Sequence, residues 1–269
     1  MKLFTLNTHS LAEKGYAGKR ESFVKGILQL QPDLMALQEV NQSQCEREIA
    51  VPEKGMVLGD VPLRSDNHAF RVAEELEAQG LSYHWIWVPI KVGYDRYDEG
   101  LAIFSRNPIE QWETVRISES DSYYNFCTRY ALGACVGGIW YYSVHTGRWQ
   151  DGEEQFIRQW SRLTGHVEGK EKVWLLGDFN SPAEEPGTGY DRMRKSGWYD
   201  SFLMARRRGA GMTVPREIDG WRDKARDAMR IDYIWSNYPA EILCSETFFD
   251  GKNGVVVSDH YGILVETAP

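Results

Sequence analysis

The chain has 269 residues, 42% of them hydrophobic, and a net charge of −8 from 31 Lys+Arg against 39 Asp+Glu. That composition supplies a large core, while no window approaches the roughly 20 apolar residues of a membrane span. The acid excess argues against a protein that grips a nucleic-acid backbone along a basic footprint.

The four Cys, at 45, 127, 135 and 244, share no zinc-clip or redox spacing. They read as free thiols of a reducing cytoplasm. The opening run Met1 to His9 is too short an apolar stretch for a secretory signal, which also favours a cytoplasmic location.

In chain order, Lys2 to Leu6 is predicted as a strand, and Gly18 to Leu30 carries helical spacing through Phe23, Val24, Ile27, Leu28 and Leu30. Pro32 ends that helix. Leu34 to Leu37 is a short buried strand that delivers Gln38-Glu39 at its C-terminal end. Val51 to Asp66 reads as a long loop, and Asn67 caps a helix running to Gln79, with Gly80 as its stop. Strands follow at Leu81 to Ile90, Leu101 to Ser105, Ile109 to Ile117, Tyr130 to Val136 and Ile139 to Val144, the last two joined by a Gly137-Gly138 turn. Glu153 to Val167 is an amphipathic helix and Val173 to Leu176 a buried strand. Gly209 to Lys224 lacks periodicity and reads as an irregular active-site loop. Ile231 to Trp235, Glu241 to Phe248 and Tyr261 to Val265 close the chain as strands. No repeat, low-complexity tract or linker interrupts this order, so 1–269 is expected to be one domain. Strands outnumber helices and lack strict strand–helix alternation, a layered α/β pattern of two packed sheets.

Polar residues of catalytic type recur where these apolar strands begin or end. Val173-Trp174-Leu175-Leu176 runs into Gly177-Asp178-Phe179-Asn180. In extended geometry Asp178 and Asn180 share one side, with Phe179 turned to the core. A carboxylate there can hold a metal or orient a water, and the amide can donate to a phosphoryl oxygen. Glu39 ends another apolar strand, and hard divalent cations prefer such carboxylates. His145 ends Trp140-Tyr141-Tyr142-Ser143-Val144. Asp232 begins Ile231-Asp232-Tyr233-Ile234, and Asp259-His260 precede the last strand, where a turn is needed for both to serve one site.

Asn7, Gln38-Glu39, Asp98-Glu99-Gly100, Ser143-Val144-His145, Gly177-Asp178-Phe179-Asn180, Ile231-Asp232-Tyr233-Ile234 and Ser258-Asp259-His260 occur in that order. Together they resemble the endonuclease/exonuclease/phosphatase superfamily, over nearly the whole chain. The resemblance implies a DNase I-like four-layer α/β sandwich, with two mostly antiparallel sheets flanked by helices. It implies Mg²⁺, with Mn²⁺ as a substitute, held by Glu39 with Asn7 beside it, and Asp259 as a further ligand or brace. It makes Asp178 the residue that orients or deprotonates the attacking water, and Asn180 the amide on a phosphoryl oxygen. His145 and His260 become the site histidines, supported by Glu99 and Asp232 respectively. One departure is His9, where many nucleases carry an acid two residues after the Asn. It is expected to weaken a second metal site.

The substrate is open on this resemblance, since fold does not fix function. The charge disfavours DNA or RNA, and a sphingomyelinase-like phosphodiesterase would usually be exported. A catalytically dead binding module is the non-enzymatic alternative. Chain length and Asp95-Arg96-Tyr97-Asp98-Glu99-Gly100 look like a cytoplasmic bacterial branch that includes maltose 6′-phosphate phosphatase, which implies a small phosphorylated sugar. Asn180, His145, Arg129 and Trp149 are the residues expected to touch it, Trp149 as a sugar platform. Arg192 to Arg230, with eleven Lys/Arg against five Asp/Glu, is either a solvated surface or a field that draws in phosphate.

Overall fold

A computed structural model of the chain describes residues 1–148, 154–215 and 228–268. It opens with β1 (Lys2–Asn7), a 3-10 turn at Ser10–Ala12 and α1 (Tyr16–Leu30), followed by β2 (Leu34–Ser43), β3 (Gly55–Val57) and α2 (His68–Ala78). Next come β4 (His84–Gly93), β5 (Tyr97–Ser105), β6 (Gln111–Arg116), β7 (Tyr130–Val136), β8 (Ile139–His145) and α3 (Phe156–Val167). The remainder is β9 (Val173–Asp178), α4 (Gly189–Lys195), β10 (Tyr199–Asp200), α5 (Ser201–Met204), β11 (Arg207–Arg208), β12 (Asp232–Ser236), β13 (Ile242–Phe248) and β14 (Gly262–Thr267).

The strands form two sheets, one ordered β11-β13-β14-β1-β2-β5-β4-β3 and the other β10-β12-β9-β8-β7-β6. Period-two alternation explains the layering. Even residues of β1, Phe4 and Leu6, pack with Phe23, Val24 and Ile27 of α1 and with Val72 and Leu76 of α2. Leu3 of β1 faces the other way and meets Trp174 and Leu176 of β9 in the core between the sheets. Leu175 of β9 turns outward onto Phe156, Trp160 and Leu163 of α3. The result is helix, sheet, sheet, helix, the DNase I-like α/β sandwich. No helix among the described residues is long and apolar enough to cross a membrane.

Asn67 caps α2 as its sequence position predicts, its side chain accepting from Phe70 N at 3.0 Å. β2 is six residues longer than its apolar run, because Gln38 to Ser43 carry the strand onward past a bulge. Short elements with no readable period, β3, β10, β11, α4 and α5, were not expected. Of the loop predicted over Gly209 to Lys224, residues 209–215 are described, and they hold only a Val214–Met229 bridge. The start of the helix predicted at Glu153 lies outside the described residues; α3 begins at Phe156.

Gly177 in β9 is needed for its lack of a side chain. Its φ is +147°, and a Cβ there would stand 1.9 Å from Val144 O of β8. Neighbouring backbone cannot swing aside as a side-chain tip can. Gly177→Ala is therefore expected to cost on the order of 3 kcal/mol or more, read from urea unfolding. A loss below about 0.5 kcal/mol, the ordinary range of surface changes, would mean that β8 and β9 part easily.

His68, at the start of α2, is buried with Nδ1 2.9 Å from the Tyr16 hydroxyl and Nε2 without a partner. Burial, helped by Arg20, holds its pKa down at about 3 against an ordinary 6.5. The unfolded chain takes up this proton near 6.5, while the folded chain refuses it until about 3. Its contribution is thus complete above the unfolded pKa and is lost as pH falls, by up to about 1.4 kcal/mol per pH unit. His68→Gln should flatten that part of the slope when unfolding is compared at pH 7 and pH 5. An unchanged pH dependence would place it on other groups.

Candidate active site

The alternation that builds the inter-sheet core also builds the site. On β1, β2, β8 and β9 the side chains facing the other sheet change in kind along each strand. Leu3 is followed by Thr5 and Asn7, Ala36 by Gln38, Tyr141 by Ser143 and His145, and Leu176 by Asp178. The polar layer is bonded across the gap. Gln38 Nε2 donates to Ser143 Oγ at 2.9 Å, and Ser143 Oγ donates to Leu37 O at 3.0 Å. One step nearer the strand ends, Asn7 Nδ2 donates to Asp178 Oδ2 at 3.2 Å and to Glu39 Oε1 at 2.9 Å.

Glu39 leaves the alternation. The β2–β5 register shifts between Leu37 and Val40, and Glu39 has a left-handed φ of 50°. A non-glycine residue there costs about 1–3 kcal/mol and persists only when its surroundings hold it. Ser10 Oγ and Thr8 Oγ1 both donate to the Glu39 carbonyl, at 2.6 and 3.2 Å. The bulge brings the carboxylate to the cavity.

Asp178 and Asn180 come together by a turn rather than by strand alternation alone. Asn180 is left-handed, its N–H donates to Asp178 Oδ1 at 2.8 Å, and its Nδ2 donates to Thr146 O at 3.1 Å. Phe179 is fully buried against Trp160 and Tyr233. β8 and β9 pair in parallel with His145 opposite Asp178, and His145 Nε2 lies 3.6 Å from Asp178 Oδ2. On β12, Asp232 lies 2.9 Å from His260 Nδ1, and His260 Nε2 lies 3.8 Å from Asp178 Oδ2. Ser258 Oγ donates to Asn7 O at 2.7 Å, which pins the turn bearing Asp259 and His260 to the end of β1. Thr213, from the irregular segment, takes the Asp232 N–H at 3.2 Å and the Tyr261 N–H on its own carbonyl at 2.7 Å.

The two histidines end in opposite states. Burial drives His145 well below its ordinary pKa, and the charges of Arg129, Lys91 and His260 push the same way, so it is neutral. Burial would also lower His260, but Asp232 and Asp178 outweigh it and hold the ring protonated. Asp178 is raised to about 7 by burial and by its neighbour Asp232, against the pull of His260. An acid and a base of matched reach thus share one buried cluster.

Asp178, Asn180, His145 and His260 line a cavity of about 340 Å³, shared by Glu39, Lys91, Arg129, Arg148, Asp259 and Tyr94 among others, with Asp232 behind His260. Glu39 is raised by burial, and then by the charges of Glu99 and Asp259. Carboxylates converging in this way are a donor set that a hard divalent cation satisfies. Asp178, Asp232 and His260 bring ligand-type atoms within 4.8 Å of one another, as do His9, Glu13 and Asp259. Burial lowers His9, but Glu13, Glu39 and Asp259 overcome it and raise its pKa to about 9. An imidazolium therefore stands where the sequence comparison placed a weakened second metal site.

One expectation needs correction. Glu99 does not support His145: its carboxylate pairs with Lys91 Nζ at 3.2 Å and makes no hydrogen bond to that ring. Asn7 stands beside Glu39, its Nδ2 donating to Glu39 and Asp178 and its Oδ1 accepting from His9 N at 3.2 Å. The described part of the basic stretch does not border the cavity. Arg230 is buried against Asp200 at 2.8 Å and packs on Tyr190, Phe202 and Tyr233, while Arg207 pairs with Glu246. Arg129 does border it. Trp149 lies outside the described residues. The sequence reading missed Lys91, although a lone charge at the end of the apolar run Trp85 to Ile90 was a signal.

The family model described as Endonuclease/Exonuclease/phosphatase family matches residues 4–260. An endonuclease/exonuclease/phosphatase family protein from Leptotrichia buccalis C-1013-b superposes with a TM-score of 0.87 at 26% identity, with 100% of each chain covered. A mannosyl-6-phosphatase from Bacteroides thetaiotaomicron VPI-5482 gives 0.67 at 15% identity, and a Neisseria 3′ phosphatase bound to a product DNA hairpin gives 0.67 at 20%, each with 100% of both chains covered. At such identities these two share the fold alone. No match was found among curated proteins. On the extent of the family match, the chain belongs to the endonuclease/exonuclease/phosphatase family.

Proposed function

We propose that the protein is a metal-dependent phosphomonoesterase of a small phosphorylated sugar, with 1–269 acting as one catalytic domain. The observation that carries this reading is the cavity, which joins Asp178, Asn180 and His260 to Lys91 and Arg129 in about 340 Å³. That volume suits one small ligand rather than an extended polymer. The mannosyl-6-phosphatase named above acts, by its name, on a substrate of the same class.

Glu39 and Asp259 would hold Mg²⁺, or Mn²⁺ in its place, which when bound supplies charge neutralisation at the phosphoryl and leaving oxygens. Asp178 accepts a proton from the attacking water, a task suited to a carboxylate whose pKa is raised to about 7. The new P–O bond forms as the ester P–O bond breaks in line, the leaving alkoxide takes a proton from solvent water to become the sugar hydroxyl, and Asp178 afterwards returns the proton it accepted to solvent. Protonated His260, braced by Asp232, donates to the phosphoryl oxygens as charge grows. Asn180, its amide oriented at the cavity wall by the bond to Thr146 O, faces the phosphoryl group. His145, neutral, offers a hydrogen bond at the cavity without adding charge to it.

The test is phosphate release from maltose 6′-phosphate and other sugar phosphates, run beside supercoiled plasmid, a 3′-phosphorylated DNA hairpin and sphingomyelin, with EDTA as control. Turnover of sugar phosphates alone, abolished by EDTA and restored by Mg²⁺, is expected. Plasmid nicking without sugar turnover would overturn the reading in favour of a nuclease, and binding without turnover would favour an inactive module. Asp178→Asn and His260→Ala should each lower kcat by about 10²–10⁴ with Tm nearly unchanged. Wild-type rates in either variant would remove that residue from the mechanism.

A further inference from the structure

Lys91 and Arg129 are two cations at the cavity that share one backbone oxygen as acceptor. Lys91 closes an otherwise apolar stretch of β4 and is only 6% exposed. Its Nζ donates to Phe126 O at 2.9 Å and lies 3.2 Å from Glu99. Arg129 Nη1 donates to the same Phe126 carbonyl at 3.0 Å. Its Nε is buried without a hydrogen-bond partner, and among the described residues it forms no ion pair with a carboxylate. Glu99 offsets the charge of Lys91, but Arg129 adds a second positive charge to the same part-buried wall with no carboxylate among the described residues to match it, and burying such a charge is costly unless an anion offsets it.

The segment that supplies Phe126 O is built to stay in place. Ser120 Oγ meets Thr128 Oγ1 at 3.0 Å, Thr128 Oγ1 donates to Ser122 O at 2.7 Å, and Cys127 N donates to Asn125 Oδ1 at 2.9 Å. Val92 N donates to Tyr123 O at 2.8 Å, which docks the segment on β4 next to Lys91. Such preorganisation matters for a charge clamp, because donors already in place need not reorganise when the anion arrives.

We infer that Lys91 and Arg129 clamp the terminal oxygens of a phosphomonoester dianion and thereby make the cavity select monoesters over diesters. This rests on the phosphomonoesterase reading above and assigns its selectivity to two residues. A monoester offers three terminal oxygens and close to two negative charges, whereas a diester replaces one of those oxygens with an ester group and carries one charge. The cations therefore favour the first over the second. Phe126 and Tyr94, 63% and 44% exposed, flank the same cavity and leave room for the leaving alcohol beside the clamp.

The experiment compares p-nitrophenyl phosphate with bis(p-nitrophenyl) phosphate in the Mg²⁺-loaded wild type, Lys91→Met, Arg129→Gln, and the charge-keeping Lys91→Arg and Arg129→Lys. It adds calorimetric binding of inorganic phosphate to the metal-free proteins, with Tm as the folding control. The neutral variants should lose about 30-fold or more in kcat/KM for the monoester and under about 3-fold for the diester. Their phosphate affinity should fall at least about 10-fold, with partial recovery in the charge-keeping variants. A wild type that prefers the monoester, with a monoester-to-diester ratio unmoved in folded neutral variants, would overturn the clamp alone. A wild type without monoesterase activity would overturn the function proposed above. Phosphate binding then decides the clamp by itself: weakened in the neutral variants it stands, unchanged it falls. Should a neutral variant not fold, its charge-keeping partner decides by the same ratio and the same phosphate binding, wild-type values in both overturning the clamp.

Discussion

Asn7 donates to Glu39 and to Asp178 from one amide nitrogen, and the site depends on that bridge. Glu39 belongs to the sheet built around β1 and β2, and Asp178 to the sheet built around β8 and β9. Two sheets packed through Leu, Ile and Trp side chains have strong cohesion but weak directionality. Small sliding between them would change the separation of the polar groups at the cavity at little cost in apolar area. The Asn7 bridge, with the Gln38–Ser143 bond one layer deeper, adds directional contacts where sliding would matter. Truncating either partner would leave buried polar atoms unsatisfied, the more expensive kind of loss.

Charge is partitioned within this frame. Asp232 makes His260 an imidazolium, whereas the nearby cations and burial keep His145 neutral, although both rings approach the same carboxylate oxygen of Asp178. Neither state follows from residue type. Each follows from which sheet edge the ring faces, since β12 supplies acids to one and β4 with the 118–129 segment supplies cations to the other. Asp178 sits between them, protonation-poised because burial and Asp232 raise it while His260 pulls it back.

Much of this was legible because periodicity and strand-end position are local signals. Asn7, Asp178, Asp232 and His260 stand at strand ends or the turn before a strand, and the alternation brings them together. What was not legible was partner choice. Glu99 and His145 sit in the same region, but Lys91, four residues before Asp95 at the tip of the β4–β5 hairpin, reaches Glu99 first. Nothing in the spacing of Asp98-Glu99-Gly100 encodes that contact, which depends on β4 and β5 pairing Lys91 opposite Glu99. The bulge at Glu39 was equally hidden, since the strand signal ends at Leu37 and the left-handed turn is imposed by Thr8 and Ser10 from another segment.

The segment from 118 to 129 sends no side chain into any of the buried apolar clusters of the described residues. Its own hydroxyls and amides hold its shape, and it touches the sandwich chiefly through backbone. Sequence drift there is consequently released from the constraint of core volume that governs β4 or β9. A lineage could exchange this stretch, and with it the wall of the cavity, while keeping the same core and the same cluster of buried acids and histidines. The architecture separates what must be inherited together from what can diverge alone.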